Sequence, residues 1–152
     1  MQERRVACMI RSYTPVDADA CAWVLKRAFA AAPWNEEWSL ELARTRIQEL
    51  MCSPMSIGYV YEEEGCILGM MLGRKTTYLH GVEYFIDEFC IAPEAQRKGI
   101  GTRMLAHARE ELMPRGFEDI VLNTERSSPA ERFYSKNGFV AKDSLIFMYW
   151  DF

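Results

Sequence analysis

Gln96-Arg97-Lys98-Gly99-Ile100-Gly101-Thr102 stands between an apolar run, Tyr84 to Ile91, and the start of a helical pattern. On chemistry alone this stretch reads as a phosphate cradle. Two glycines let the backbone approach an anion, the amides of Arg97 to Thr102 can converge, and the following helix turns its positive N-terminal end to the same place. Arg97 and Lys98 add cationic charge. Two other phosphate-binding patterns do not fit. A dinucleotide fingerprint carries a third glycine where this chain has Met104, and it usually opens its domain rather than lying past mid-chain. A Walker loop separates its glycines by four residues and follows them with lysine, whereas here only Ile100 intervenes and the lysine comes first. Glycine pairs also occur in ordinary strand-to-helix turns, so the surrounding elements decide.

Those elements alternate in a consistent order. Val6 to Tyr13 reads as a strand, and Thr14-Pro15-Val16-Asp17 turns the chain into a helix to about Phe29 with Cys21, Leu25 and Ala28 on one side. A second helix, roughly Ser39 to Met51, follows the segment Pro33-Trp34-Asn35-Glu36-Glu37-Trp38, and Leu42, Ile47, Leu50 and Met51 give it an imperfect apolar face. Ser56 to Tyr61 and Ile67 to Leu72 read as a hairpin around the solvated acidic turn Glu62-Glu63-Glu64-Gly65. A turn at His80-Gly81 leads to the strand Glu83 to Ile91, and after the glycine loop a helix from about Gly101 to Met113 points Met104, Leu105, Ala108 and Leu112 inward. Ile120 to Asn123 is the next strand, Ser128-Pro129-Ala130-Glu131 opens a well-capped helix, and Phe139 to Ala141 and Leu145 to Trp150 read as closing strands.

With 152 residues, 49% hydrophobic and 26% charged, the chain is expected to form one domain, 1–152, with a sizeable core. A net charge of −4 argues against a nucleic-acid surface and suits a cationic substrate. The five cysteines are odd in number and widely spaced, so neither a disulfide framework nor a zinc site is indicated, and reduced thiols in a cytoplasm fit. His80 and His107 are isolated, and no metal is expected. No apolar run approaches the ~20 residues that span a bilayer, and no export signal is readable after Met1-Gln2-Glu3-Arg4-Arg5.

The glycine loop, its flanking strand and helix, and the later Ala130-x-x-Phe133-Tyr134-x-x-Asn137-Gly138-Phe139 together resemble the GNAT superfamily of acyl-CoA-dependent N-acetyltransferases. By motif the resemblance covers about residues 84 to 140, and by element order essentially the whole chain. It implies an α/β fold of mixed α+β character: a central, mixed, mostly antiparallel sheet, splayed and flanked by about four helices. It also implies acetyl-CoA as co-substrate, wedged into the splay. Gln96, Arg97, Lys98, Gly99, Ile100, Gly101 and Thr102 would hold its pyrophosphate, and the backbone of Phe89, Cys90 and Ile91 would pair with its pantetheine arm. Asn123 and Ser127 complete the implied cofactor contacts; Ser127 stands where the family often has Asn, which weakens that contact.

Tyr134 matches the position where many members place a tyrosine near the CoA sulfur, and a phenol can protonate a departing thiolate. Its alternative is packing, as for Phe133. An attacking amine must be neutral, so a carboxylate base is expected, and Asp87 and Glu88 are the candidates. They alternate along a strand, so at most one is expected to face the acceptor cleft. Aminoglycoside-modifying members similarly carry an Ile-Asp pair at the positions of Ile86-Asp87, which favours Asp87; either carboxylate could instead be a surface charge paired with an arginine. Cys90 has no paired histidine and reads as a buried thiol. Trp34 and Glu36 fall where the family builds the acceptor wall, with core cover as the alternative for the tryptophans. The implied activity is acetyl transfer to a primary amine, preferably small and cationic, such as an aminoglycoside- or polyamine-like molecule, or else a peptide or protein amino group. A non-catalytic acyl-CoA sensor on the same fold is the rival. Acetyl-CoA and the amine are the expected partners, with a homodimer as a further candidate and neither nucleic acid nor membrane expected.

Overall fold

The structure, a computed structural model, describes residues 7–152, so the first five residues and Val6 of the expected first strand lie outside the described part. Five strands form one sheet in sequence order: β1 (Cys8–Ser12), β2 (Ser56–Glu63), β3 (Cys66–Tyr78), β4 (Gly81–Ile91) and β5 (Phe117–Leu122). The first three pairings are antiparallel, and β4 runs parallel to β5. The parallel pair needs a crossover. It is supplied by α3 (Ile100–Leu112), while α1 (Ala18–Ala30) and α2 (Leu40–Leu50) sit between β1 and β2, and α4 (Pro129–Lys136) follows β5. The mixed, mostly antiparallel sheet with four helices is as expected.

Alternation along the strands divides the core into two layers. On one face Tyr59, Tyr61, Met71, Tyr84 and Ile86 pack with Met104, Leu105, Ala108 and Leu112 of α3. On the other, Val60, Met70, Leu72 and Cys90 pack with Cys21, Leu25 and Ala28 of α1 and Ala43 and Ile47 of α2. Leu42 does not join the second layer and stays exposed, because α2 rests on the molecule by a narrow stripe.

Three sequence expectations change. The strand expected to stop at Leu72 runs on to Tyr78, since β4 gives it ladder partners along that whole length. The acidic triplet is only half a turn: Glu62 pairs with Arg11 at 2.8 Å, Glu63 accepts the Tyr61 hydroxyl at 2.5 Å, and both belong to β2. The closing strands at Phe139 to Ala141 and Leu145 to Trp150 are not formed, and that segment has no ladder partner despite its β-forming composition. Propensity alone does not make a strand; a neighbour must supply the hydrogen bonds.

Asp17, the residue before α1, ties this helix to the sheet. Its carboxylate is buried and accepts from both terminal nitrogens of Arg11 on β1, at 2.8 and 2.9 Å, and from the Thr14 backbone N–H at 2.8 Å. The Arg11 hydrogen bonds hold its pKa below the ordinary aspartate value of 3.8, against the opposing effect of burial. A carboxylate with a depressed folded pKa contributes stability above its unfolded value and loses it as pH falls through the folded one. Asp17→Asn is therefore expected to lower stability at neutral pH by about 1–3 kcal/mol, with the deficit shrinking as pH drops below about 4. Denaturant titrations of both proteins across pH 2.5 to 7 check this (about one point per half unit suffices).

Candidate functional site

β4 is paired with β3 as far as Ile91↔Gly69, but with β5 only as far as Ile86↔Leu122. Beyond that point the two strands part, and the edge of β4 from Asp87 to Ile91 that would have faced β5 has no strand beside it. Phe89, Cys90 and Ile91, the expected pantetheine partners, lie in this open stretch. Cys90 is buried in the α1 and α2 layer, and burial pushes its thiol pKa well up, so it stays a neutral thiol.

The loop that follows carries Gln96 to Gly99 and delivers Ile100, Gly101 and Thr102 as the first turn of α3. Gln96 donates its side-chain N–H to the Ile91 carbonyl at 3.0 Å and so fastens the loop to the end of β4. Arg97 and Gly99 both have left-handed backbones, with φ of 62° and 75°. Gly99 is the N-cap of α3, no side chain caps that end, and a Cβ built at Gly99 would meet nothing within 4 Å. The loop thus presents first-turn amides to open space beside two cationic residues, an arrangement chemically suited to an anion. Gly101 has a different duty: a Cβ there would stand 2.9 Å from the Phe133 ring, so its absence lets α4 close on α3.

α4 carries the second motif. Ser128 caps it by accepting from Glu131 N–H at 3.1 Å, Pro129 opens it, and the Glu131 carboxylate reaches back to the Ser127 backbone N–H. Ser127 is itself held at φ 63°, and Asn123 lies exposed just past β5. Tyr134 sits over the open part of β4, with its ring 6.3 Å from Phe89, 5.2 Å from Phe133 and 5.3 Å from Phe139. Burial raises its pKa, and the neighbouring Cys90 and Glu88 add to the rise, so the phenol keeps its proton throughout the physiological range.

The carboxylates overturn one expectation. Gly73 pairs with Ile86 and Leu72 with Glu88, which leaves Asp87 as an extra residue in a β-bulge. The bulge shifts the alternation by one. Ile86 faces α3, Glu88 and Cys90 face α1 and α2, and Asp87 turns to the latter side as well, where it pairs with Arg74 at 3.2 Å. Both carboxylates therefore share the face from which the pattern allowed only one. Glu88 pairs in turn with Arg46 of α2 at 3.1 Å. Burial raises the Glu88 pKa, Arg46 opposes the rise, and Glu36 and Asp87 add to it. Glu36 accepts the Trp38 indole N–H at 2.6 Å, and Trp34 packs edge-on against Phe29 with centroids 5.8 Å apart. Asn35 to Trp38 wall an open groove of about 670 Å³ shared with Lys26 and Ala30, and Trp34 stands outside its lining. Glu36, Asp87 and Glu88 thus lie in one electrostatic neighbourhood.

Arg46, Arg74 and Gly73 were not singled out from sequence. A lone glycine inside a strand pattern is the signal that could have found the bulge: a Cβ at Gly73 would fall 2.1 Å from the Phe85 carbonyl oxygen. Among the described residues no cluster of three or more metal-ligating side chains occurs, and no helix is long and apolar enough to cross a membrane.

The family model described as acetyltransferase (GNAT) family matches residues 19–139. The chain belongs to this family. A mycothiol acetyltransferase of Thermomonospora curvata is 30% identical over 133 residues, 86% of this chain but 43% of that protein, so the chain spans less than half the length of this relative. A possible acetyltransferase from Clostridium difficile has the same fold, with a TM-score of 0.81 at 15% identity, covering 95% of this chain and 98% of the other. An aminoglycoside N-acetyltransferase in complex with CoA also shares this GNAT fold, with a TM-score of 0.77 at 13% identity and 98% of each chain covered.

Because the bulge depends on bare backbone at Gly73, Gly73→Ala is expected to cost about 3 kcal/mol, the upper end for forcing an extra carbon into packed structure. Urea unfolding against Gly99→Ala, whose Cβ has room and only an unfavourable φ to bear, gives the comparison; that variant should lose about 1 kcal/mol.

Proposed function

We propose that this GNAT-family chain transfers the acetyl group of acetyl-CoA directly to a primary amine, with a small cationic acceptor as the preferred class. The observation that carries the reading is the open edge of β4, with a capless helix N-terminus at one end, a half-buried tyrosine over it and two carboxylates on the bulge beside it. An aminoglycoside N-acetyltransferase with this fold was solved with CoA, and the relative named above is a mycothiol acetyltransferase, which supports acetyl transfer to an amine.

The acetyl donor supplies a thioester, whose carbonyl carbon an amine nitrogen can attack. The amides of Arg97 to Thr102, with the Arg97 and Lys98 side chains, would hold the pyrophosphate, and Gly99 keeps the approach clear. Backbone groups of Phe89, Cys90 and Ile91 would bind the pantetheine arm as an added strand, with Asn123 and Ser127 at its far side. Glu88 takes the proton that the amine must lose, and burial raises its pKa in the direction a general base needs. Asp87, Glu36 and the Trp34 to Trp38 segment draw in and seat the cation. Tyr134 gives its proton to the sulfur as the carbon–sulfur bond breaks, and burial keeps that proton in place until then.

The test is turnover of acetyl-CoA over a panel of cationic, neutral and anionic amines, followed by release of free thiol. Cationic amines should react fastest and lose apparent affinity as salt rises. Tyr134→Phe keeps the ring and should lower kcat by about a hundredfold or more while leaving acetyl-CoA affinity within about twofold. Acetyl-CoA binding without turnover on any amine would leave a sensor domain instead, and wild-type turnover in Tyr134→Phe would remove the acid.

A further inference from the structure

Two arginine–carboxylate contacts in this chain are built in opposite ways. Arg11 grips Asp17 with both terminal nitrogens, at 2.8 and 2.9 Å, and reaches Glu62 with Nε at 2.9 Å, so its whole planar fork is used. Arg46 of α2 donates to Glu88 through Nε alone, at 3.1 Å, and its terminal nitrogens find no acceptor among the described residues. Exposure is lopsided as well: the Glu88 side chain is 15% exposed and that of Arg46 37%. The carboxylate is thus fixed inside the molecule, whereas the guanidinium hangs by one bond at the end of a long, half-exposed side chain. A shielded carboxylate needs a counter-charge, because a buried charge without a partner is strongly destabilising. Arg46 supplies it and cannot give up a proton in exchange, since a guanidinium stays protonated at every accessible pH. The other titratable groups around Glu88 carry no free positive charge. Glu36 faces it from the segment before α2, Asp87 stands beside it with Arg74 of β3 as its own partner, and the neutral Cys90 and Tyr134, with Cys21 of α1 behind Cys90, complete the surroundings.

We propose that Arg46 is a positioning residue for acetyl transfer, a displaceable counter-ion that holds the Glu88 carboxylate while the site is empty and yields it to the ammonium group of the arriving acceptor. This role presupposes Glu88 as the base of the proposed reaction. Paired with a guanidinium, Glu88 stays charged and has no proton to take. An ammonium in the same place differs in one respect, because it can release its proton. In a shielded site an ammonium and a carboxylate revert readily to a neutral amine and a neutral acid, since desolvation disfavours both charged forms. One proton then moves from the ammonium nitrogen to a Glu88 oxygen, the freed lone pair attacks the thioester carbon, and Arg46 turns to solvent, as its exposure permits. The second proton that the nitrogen sheds on becoming an amide replaces the one that Tyr134 gives to the departing sulfur. Glu88 afterwards loses its proton to solvent and Arg46 returns. The exchange also selects: a neutral molecule cannot replace the charge it would push aside, so cationic acceptors are favoured.

The probe is the cationic amine that reacts fastest in the panel above, and the variants are Arg46→Met, which keeps the length and removes the charge, Arg46→Lys and Glu88→Gln. For a reaction with a carboxylate base, kcat/KM falls toward acid pH as the base in the free enzyme takes a proton. Removing a neighbouring cation raises a carboxylate pKa, so in Arg46→Met this acid limb should move to higher pH by about one unit. Above both limbs, where Glu88 is ionised in either protein, KM for the amine should fall about threefold or more, since nothing has to be displaced, while KM for acetyl-CoA stays within about twofold. Arg46→Lys restores a cation and should bring the limb back to within about 0.3 unit of wild type. An unmoved limb in Arg46→Met, or an amine KM that rises, overturns the proposal, and loss of the limb in Glu88→Gln then leaves the base reading standing. A limb that survives in Glu88→Gln, or no turnover on any cationic amine, removes the base reading and the counter-ion with it. Exchange of the Arg46 Nε proton with water, followed by NMR in the wild type, needs no variant. It should speed up at least about tenfold when the amine saturates the site, and unchanged exchange overturns the proposal.

Discussion

The rest of the structure depends on where β4 stops pairing with β5. Backbone N–H and C=O groups in a folded protein need partners, and a central strand that keeps its neighbour on one side only has left part of its account open. Here the loss is confined to Asp87 to Ile91, while on the β3 side Glu88 to Ile91 stay paired beyond the bulge at Asp87, so β4 is held in the sheet beneath the gap. The crossover helix begins just after this stretch, which aims its N-terminal amides along the same opening. α4 then closes on α3 through Gly101 and Phe133 and hangs Tyr134 over it. A ligand that is extended, with amide groups along its length and phosphates at one end, matches this opening better than any compact one does.

A second constraint, the bulge at Asp87, decides the charge on the acceptor side. An ordinary strand would split Asp87 and Glu88 between the two faces and bury one of them under α3. The extra residue brings both to the α1 and α2 face, and Gly73 makes room by bringing no side chain. Each carboxylate meets an arginine, Arg74 or Arg46, so the surface-charge alternative was half right: the pairs exist, but both carboxylates are largely shielded from solvent. With Glu88 raised by burial and restrained by Arg46, small changes in its surroundings decide how readily it accepts a proton.

Much of this was legible in the sequence, for identifiable reasons. The helices α1, α3 and α4 announce themselves through periodic apolar residues, Ser128-Pro129 and the glycine loop, because local hydrogen bonding and helix geometry act over a few residues. The loop residues stand where the spacing put them. The bulge was not read, since a period-2 pattern carries no mark of an inserted residue except the glycine on the neighbouring strand. Arg46 and Arg74 are far from Glu88 and Asp87 in sequence and meet them only through sheet register and helix packing. The closing strands failed for a related reason: Leu145 to Trp150 has strand composition, but pairing is a property of two segments, and the partner is not found within the described chain.

The central claim is that the gap between β4 and β5 is the acetyl-CoA site. Amide hydrogen exchange of the protein with and without saturating acetyl-CoA tests it most directly, because the exposed β4 groups and the loop amides are themselves the proposed ligands. The account predicts slowed exchange at Phe89 to Ile91 and at Arg97 to Thr102, with little change at the distant β1 and β2. Protection confined to other segments, with these amides unchanged while acetyl-CoA is bound, would contradict it.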